Sequence, residues 1–319
     1  MNYEMFEDVR RQEGREQGHK PLPHHLGAYG FPPSPLKTHP QRLPHTPPLT
    51  SSQYRSNWTT DPLTGTYTSP VRTPTNIPSD PALASYGVLQ SKQLANHLAT
   101  LTPPIDAVYS SPFYRCIQTL QPYIENRIAH ENKDKDTTPV NLEPGIGEFY
   151  GLARFDHPSP APLNVLQPLF PSLTLATHAD GPIITPSKNG ESIPQLHDRV
   201  AYALHHLIRR LDADPAGPKA LLICTHAAAI IAIGRALTGR MPEDEGEEDF
   251  KCFTCGVSRF HRREGGGDGA AVEVGRWDEG RAEEVPDVGW RGGKGVGEGW
   301  RCEVNSDCSF LDNGEERGW

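Results

Sequence analysis

Residues 220–239 read ALLICTHAAAIIAIGRALTG, and their pattern decides the fold. Ala220 to Cys224 is an unbroken apolar run of strand length, the pattern of a strand covered on both faces. Thr225-His226 interrupts the run, and Ala227 to Leu237 has the composition of a helix. Gly239 supplies the left-handed residue that ends it. A buried strand, a tight turn and a helix make half of a parallel α/β unit. The same design recurs upstream. Ile105 to Tyr109 (IDAVY) is a short buried strand, Ser110-Ser111-Pro112 is a turn, and a helix follows to about Ile128.

Each unit carries one basic or imidazole side chain just past its strand, Arg115 in the first and His226 in the second. Ligands of open α/β sheets sit outside the carboxyl ends of the strands. Helix N-termini there present N–H groups and a positive dipole end to anions. Arg115 and His226 are therefore candidates to converge on one anionic group. Phosphate suits best, because the guanidinium fork matches its oxygens. Taken singly, Arg115 also reads as a solvated first-turn charge and His226 as a structural histidine.

Two further helices frame these units. Asp80 to Leu101 has Asp80 as a candidate cap, Pro81 in the first turn, and Val88, Leu94, Leu98 and Leu101 at helical spacing. Glu191 to Leu211 is amphipathic through Leu196, Val200, Leu204, Leu207 and Leu211. Between the units, GIGEFYG (145–151) sets Glu148 among glycines and beside Phe149 and Tyr150. A carboxyl group held against aromatic rings is raised in pKa and can donate a proton; a surface glutamate in a turn is the alternative. Residues 152–189 form a Pro-rich insertion without periodicity, suited to capping the pocket.

The rest of the chain sets bounds. Thirty glycines and 32 prolines, about a fifth of 319 residues, imply long stretches outside any core. Met1 to Lys20 is charged and without apolar periodicity, and Pro21 to Pro48 is rich in Pro and His; both read as tail. No apolar run is long enough for a transmembrane helix, and the polar start excludes a secretory signal. A net charge of −9 argues against a nucleic-acid-coating surface. Six cysteines are too sparse for a disulfide scaffold, so the expected setting is intracellular, cytoplasmic or nuclear. Cys252 and Cys255 form a CxxC that could join Cys302 and Cys308 at zinc. The wide second spacing and the strand-like run around the first pair favour plain thiols instead, so no metal site is assigned. The expected organisation is a tail over 1–51, one α/β domain over 52–262, and a Gly-rich acidic segment over 263–319. The last of these ends in strands that complete the same domain, while about 264–298 is expected to pack poorly.

In order along the chain, SSPFYRCIQT, GEFYG, GES (190–192) with Asp198-Arg199, and CTHAA resemble the histidine phosphatase superfamily, also called phosphoglycerate mutase-like. RSNWTTDP, FYGLARFDHPSPAP and GRALTGRMPEDEGEEDF resemble one branch of it. That branch holds a subunit of RNA polymerase III transcription factor tau (TFIIIC) and single-domain relatives. The resemblance implies a three-layer α/β/α domain with a mainly parallel sheet. It also implies a phosphohydrolase chemistry that passes through a phosphohistidine and needs no cofactor, since arginines and histidines stabilise the charge. By the same resemblance Arg115, His226 and Arg55 bind phosphate, and His226 and Glu148 act in catalysis, Glu148 as the proton donor. The implied partners are a phosphate-containing small molecule or phosphoprotein for an enzyme, and other proteins for a transcription-factor subunit; no membrane is implied.

One departure bears on all of this. The family's Arg-His-Gly, which ends the first strand and carries the nucleophile, falls at Ser51-Ser52-Gln53, and the tripeptide occurs nowhere in the chain. The preceding QRLPHTPPLT has three prolines and cannot be a central strand. The first strand is thus expected to be missing or replaced. Either the chain is a non-catalytic relative, or its first fifty-odd residues come from a wrong exon joined to an intact body. The abrupt change at Ser52 favours the latter.

Overall fold

The computed structural model describes residues 2–7, 58–130, 138–243, 247–263, 274–279, 284–292, 294, 296 and 299–316. The strands described are β1 (Asn2–Glu7), β2 (Thr59–Thr60), β3 (Tyr67–Thr68), β4 (Ala107–Ser110), β5 (Val140–Leu142), β6 (Leu175–Ala176), β7 (Ala220–Thr225), β8 (Val257–Arg262) and β9 (Trp300–Asp307). The helices are α1 (Ser85–Leu98), α2 (Tyr114–His130), α3 (Leu163–Leu166), α4 (Ile193–Asp212) and α5 (Ala227–Thr238). Seven strands form one sheet in the order β6-β5-β4-β7-β1-β8-β9, and β2 pairs with β3 in a separate hairpin. The strands from β6 to β1 run parallel, while β8 and β9 are antiparallel additions.

Alternation along the central strands builds the core on both faces. Leu221 and Ile223 of β7, with Tyr109 of β4 and Phe260 of β8, pack against α4 and α5. Val108 of β4 and Leu222 and Cys224 of β7 pack with α1 and α2 on the opposite side, together with Val140 and Leu142 of β5. Successive strand residues point to opposite faces, so ALLICT feeds both clusters, and all six of its residues are buried. The result is a three-layer α/β/α fold. No described helix is long and apolar enough to cross a membrane.

Local chemistry sets the helix ends. Ser192 caps α4 in a reciprocal box with Gln195. Gly239 closes α5 at φ 68°, a left-handed conformation that costs glycine little. By contrast, α1 begins at Ser85 rather than at Asp80, behind an extended Ala84 that makes no side-chain cap. Asp80 is diverted to α2, where its Oδ2 accepts from the Tyr114 amide at 2.9 Å.

Two expectations about poorly packed segments are corrected. Asn2–Glu7 is a strand at the centre of the sheet, parallel to β7 and antiparallel to β8. It replaces the first strand that the Pro-rich segment before Tyr54 cannot supply. Residues 8–57, which hold the rest of the expected tail and Arg55, lie outside the described residues. Near the other end, Val288, Trp290 and Val296 are buried in the core, although 264–298 was expected to stay outside it. The Trp290 ring stacks on His197 at 5.8 Å, and its indole N–H donates to Asp198. One large aromatic thus anchors a segment whose composition is otherwise that of a linker. Cys252 and Cys255 precede β8 instead of lying within it. Among the described residues no group of three or more His, Cys, Asp or Glu side chains is placed to hold a metal ion.

Candidate functional site

β4 and β7 are parallel neighbours, and the register Ser110↔Cys224 brings their carboxyl ends level. Arg115 lies in the first turn of α2 beyond β4, and His226 caps α5 immediately after β7. Both are buried at 1–2% exposure, so their polar atoms are met by protein groups rather than by water. Arg115 Nη1 donates to Asp80 Oδ1 at 3.0 Å and to the Ser79 carbonyl at 3.2 Å. Its Nη2 lies 2.7 Å from Glu148 Oε2 and 3.1 Å from His226 Nδ1. Glu148 Oε2 is also 3.1 Å from His226 Nδ1. The three predicted side chains therefore meet at one point, and Nδ1 either accepts from Arg115 or donates to Glu148.

The far side of the imidazole is held as well. His226 Nε2 lies 2.7 Å from Ser111 Oγ and 3.6 Å from Cys116 Sγ. Phe113 meets the ring edge-on at 5.4 Å and carries the Arg115 guanidinium over its face at 4.5 Å. Ser111, Asp80 and Phe113 are site residues that pattern reading missed. Ser111 was read only as part of the turn ahead of a helix, while Asp80 was assigned to the wrong helix.

Glu148 reaches the site on a tightly held loop. Glu143 caps the short 3-10 turn Pro144–Ile146 through the Gly145 amide. Arg199, fully buried, forks onto both oxygens of Glu191 at 2.7 and 2.8 Å and donates Nη1 to the Gly145 carbonyl at 2.8 Å. The Glu191 amide in turn donates to the Tyr150 carbonyl. At Gly190, φ is +83°, and an added Cβ would fall 2.2 Å from the Gly151 carbonyl oxygen. The GES sequence therefore serves to pin the Glu148 loop. Glu148 contacts a guanidinium and an imidazole, where the sequence had suggested aromatic surroundings alone.

A cleft of about 670 Å³ opens beside Glu148 and Phe113, with Tyr150 and His157 on its wall. Part of the 152–189 insertion lines it, including Pro158, Pro186 and Lys188. The buried cluster has the chemistry to hold a dianion against a guanidinium and an imidazole, with a carboxyl group alongside.

Arg115 and His226 thus stand just beyond the carboxyl ends of two parallel strands, with Glu148 against both. The family model for the histidine phosphatase superfamily (branch 1) matches residues 72–274, and the chain belongs to that superfamily. It is similar to the transcription factor tau 55 kDa subunit of Saccharomyces cerevisiae, with 30% identity over 277 residues, covering 83% of this chain and 56% of that protein. It is also similar to the ecdysteroid-phosphate phosphatase of Drosophila melanogaster, with 28% identity over 53% of this chain and 21% of that protein. The chain thus spans about half or less of the length of these relatives. Among solved structures, the ecdysone phosphate phosphatase of Bombyx mori in complex with tungstate aligns at 18% identity and a TM-score of 0.44, over 57% of this chain and 69% of that chain.

Proposed function

We propose that this chain is a histidine phosphatase-like protein that binds a phosphoryl group through Arg115 and His226 but lacks the covalent step of phosphomonoester hydrolysis. The observation that carries the reading is the shared position of Arg115 Nη2, between Glu148 and His226 at the ends of two parallel strands. In this reading Glu148, which touches both side chains, is the group that would supply a proton to the leaving oxygen. The covalent step needs a nucleophile where the first strand ends. β1 ends at Glu7, Asp8-Val9-Arg10 follow in sequence, and the first histidine thereafter is His19. Loss of a nucleophile removes several orders of magnitude of rate.

A second reading, a partner-binding subunit with a relic pocket, is favoured by the similarity to the yeast transcription factor tau subunit over most of this chain. Three proteins separate the readings in an assay of aryl phosphate hydrolysis: the chain as given, the chain with residues 1–53 replaced by an apolar strand ending in Arg-His-Gly, and that repaired chain carrying His226→Ala. The expected result is turnover only in the repaired chain. Robust activity in the chain as given overturns the proposal. A silent repaired chain that still binds inorganic phosphate supports the partner-binding subunit. An open frame encoding a strand and Arg-His-Gly upstream of the Tyr54 codon would restore the enzyme.

A further inference from the structure

The cleft beside Glu148 constrains what the phosphate is attached to. Its volume of about 670 Å³ suits one compact organic group. Tyr150 and His157 form its wall as a stacked pair, ring centroids 4.7 Å apart and planes within 12°. Both rings have their polar atoms committed to the protein. His157 Nε2 donates to the Gly151 carbonyl at 2.8 Å, so Nδ1 accepts from the Tyr67 hydroxyl at 2.6 Å. The Tyr150 hydroxyl donates to Ser79 Oγ at 3.2 Å. These bonds fix which ring nitrogen of the neutral imidazole carries the proton, and burial lowers its pKa against the opposing Gly151 hydrogen bond. What the pair offers a ligand is therefore ring surface.

The remaining walls agree. Pro144, Pro158 and Pro186 present rigid apolar surface that loses no side-chain entropy on binding.

Building on the phosphate-site reading, we infer that the cleft takes the phosphate monoester of a planar aromatic hydroxyl, and that the Tyr150–His157 pair determines this preference. Calorimetry on the full chain tests it with three probes, inorganic phosphate, phenyl phosphate and glycerol phosphate. Phenyl phosphate is expected to bind about tenfold more tightly than glycerol phosphate, the scale of one aromatic contact plus burial. The ratio should fall towards one in His157→Ala and in Tyr150→Leu, and persist in His157→Phe, which keeps a flat ring. His157→Phe and Tyr150→Leu carry the test should His157→Ala fail to fold. Equal affinity for the two esters in the parent chain overturns the inference, as does a preference that survives both wall variants. If inorganic phosphate does not bind at all, the phosphate-site reading falls and takes the ester class with it. If phosphate binds without any phenyl preference, only the aromatic assignment falls.

Discussion

Arg115 places one cation between two buried carboxylates, Asp80 at 3.0 Å and Glu148 at 2.7 Å. Removing it leaves both acids buried without that cation. Breaking a buried pair from one side costs about 3–5 kcal/mol. Arg115→Met should therefore lower the urea midpoint by that equivalent at an unchanged m-value and abolish phosphate binding. Stability within 1 kcal/mol of the parent would mean the ion pairs are not formed in solution. Arg115 and His226 were legible in sequence because each follows a strand, where a parallel sheet must open. Glu148 was legible through its glycines. Asp80 was not, since a residue ahead of a helical pattern reads as that helix's cap, and only the tertiary fold brings Tyr114 and Arg115 against it. Ser111 was hidden for a related reason. A serine before proline is ordinary turn chemistry, and nothing local announces an imidazole 2.7 Å away.

At the scale of elements, the helices and strands with strong periodicity were readable to within a few residues: β7, α5, α4 and the body of α2. The short strands β5 and β6 were not, because two or three residues carry no period. Neither was β1. A central strand of a parallel sheet normally reads as continuous Val, Ile and Leu, whereas NYEMFE carries glutamates at 4 and 7. Its pairing is made by backbone groups that any residue provides: Met5 stands opposite Ile223 of β7 on one side and Ser258 of β8 on the other. Proline at that position removes a ladder donor with neighbours on both sides. Met5→Pro should cost roughly 3 kcal/mol or more, by analogy with a helix interior, seen as a lower melting temperature. An unchanged melt would return residues 2–7 to the tail.

Across the whole molecule, the two-faced core buries titratable groups whose opposed shifts set its acid response. His205, deep in α4 at 3% exposure, has its pKa pushed down by burial to about 4. His178 is likewise lowered to about 4, first by burial and then by Arg210. A histidine depressed in the folded state contributes stability that is present above its unfolded pKa near 6.5 and is lost as pH falls towards 4. Glu143 works the other way. Burial raises its pKa to about 7, against the hydrogen bonds from Gly145 and Ile183. Its raised value adds stability as pH falls from 7 to 4.5, where the folded protein takes up a proton that the unfolded chain does not. The parent should therefore lose stability between pH 6.5 and 4, less steeply than the two histidines alone would dictate. His205→Leu should flatten the fall by about 2–3 kcal/mol at pH 4. It removes a buried imidazole whose Nε2 has no hydrogen-bond partner among the described residues. Glu143→Gln should steepen the fall, because the opposing proton uptake is gone. Chemical denaturation at half-unit pH steps reads both slopes. Parallel curves for all three proteins would show that these groups titrate alike in the folded and unfolded chains.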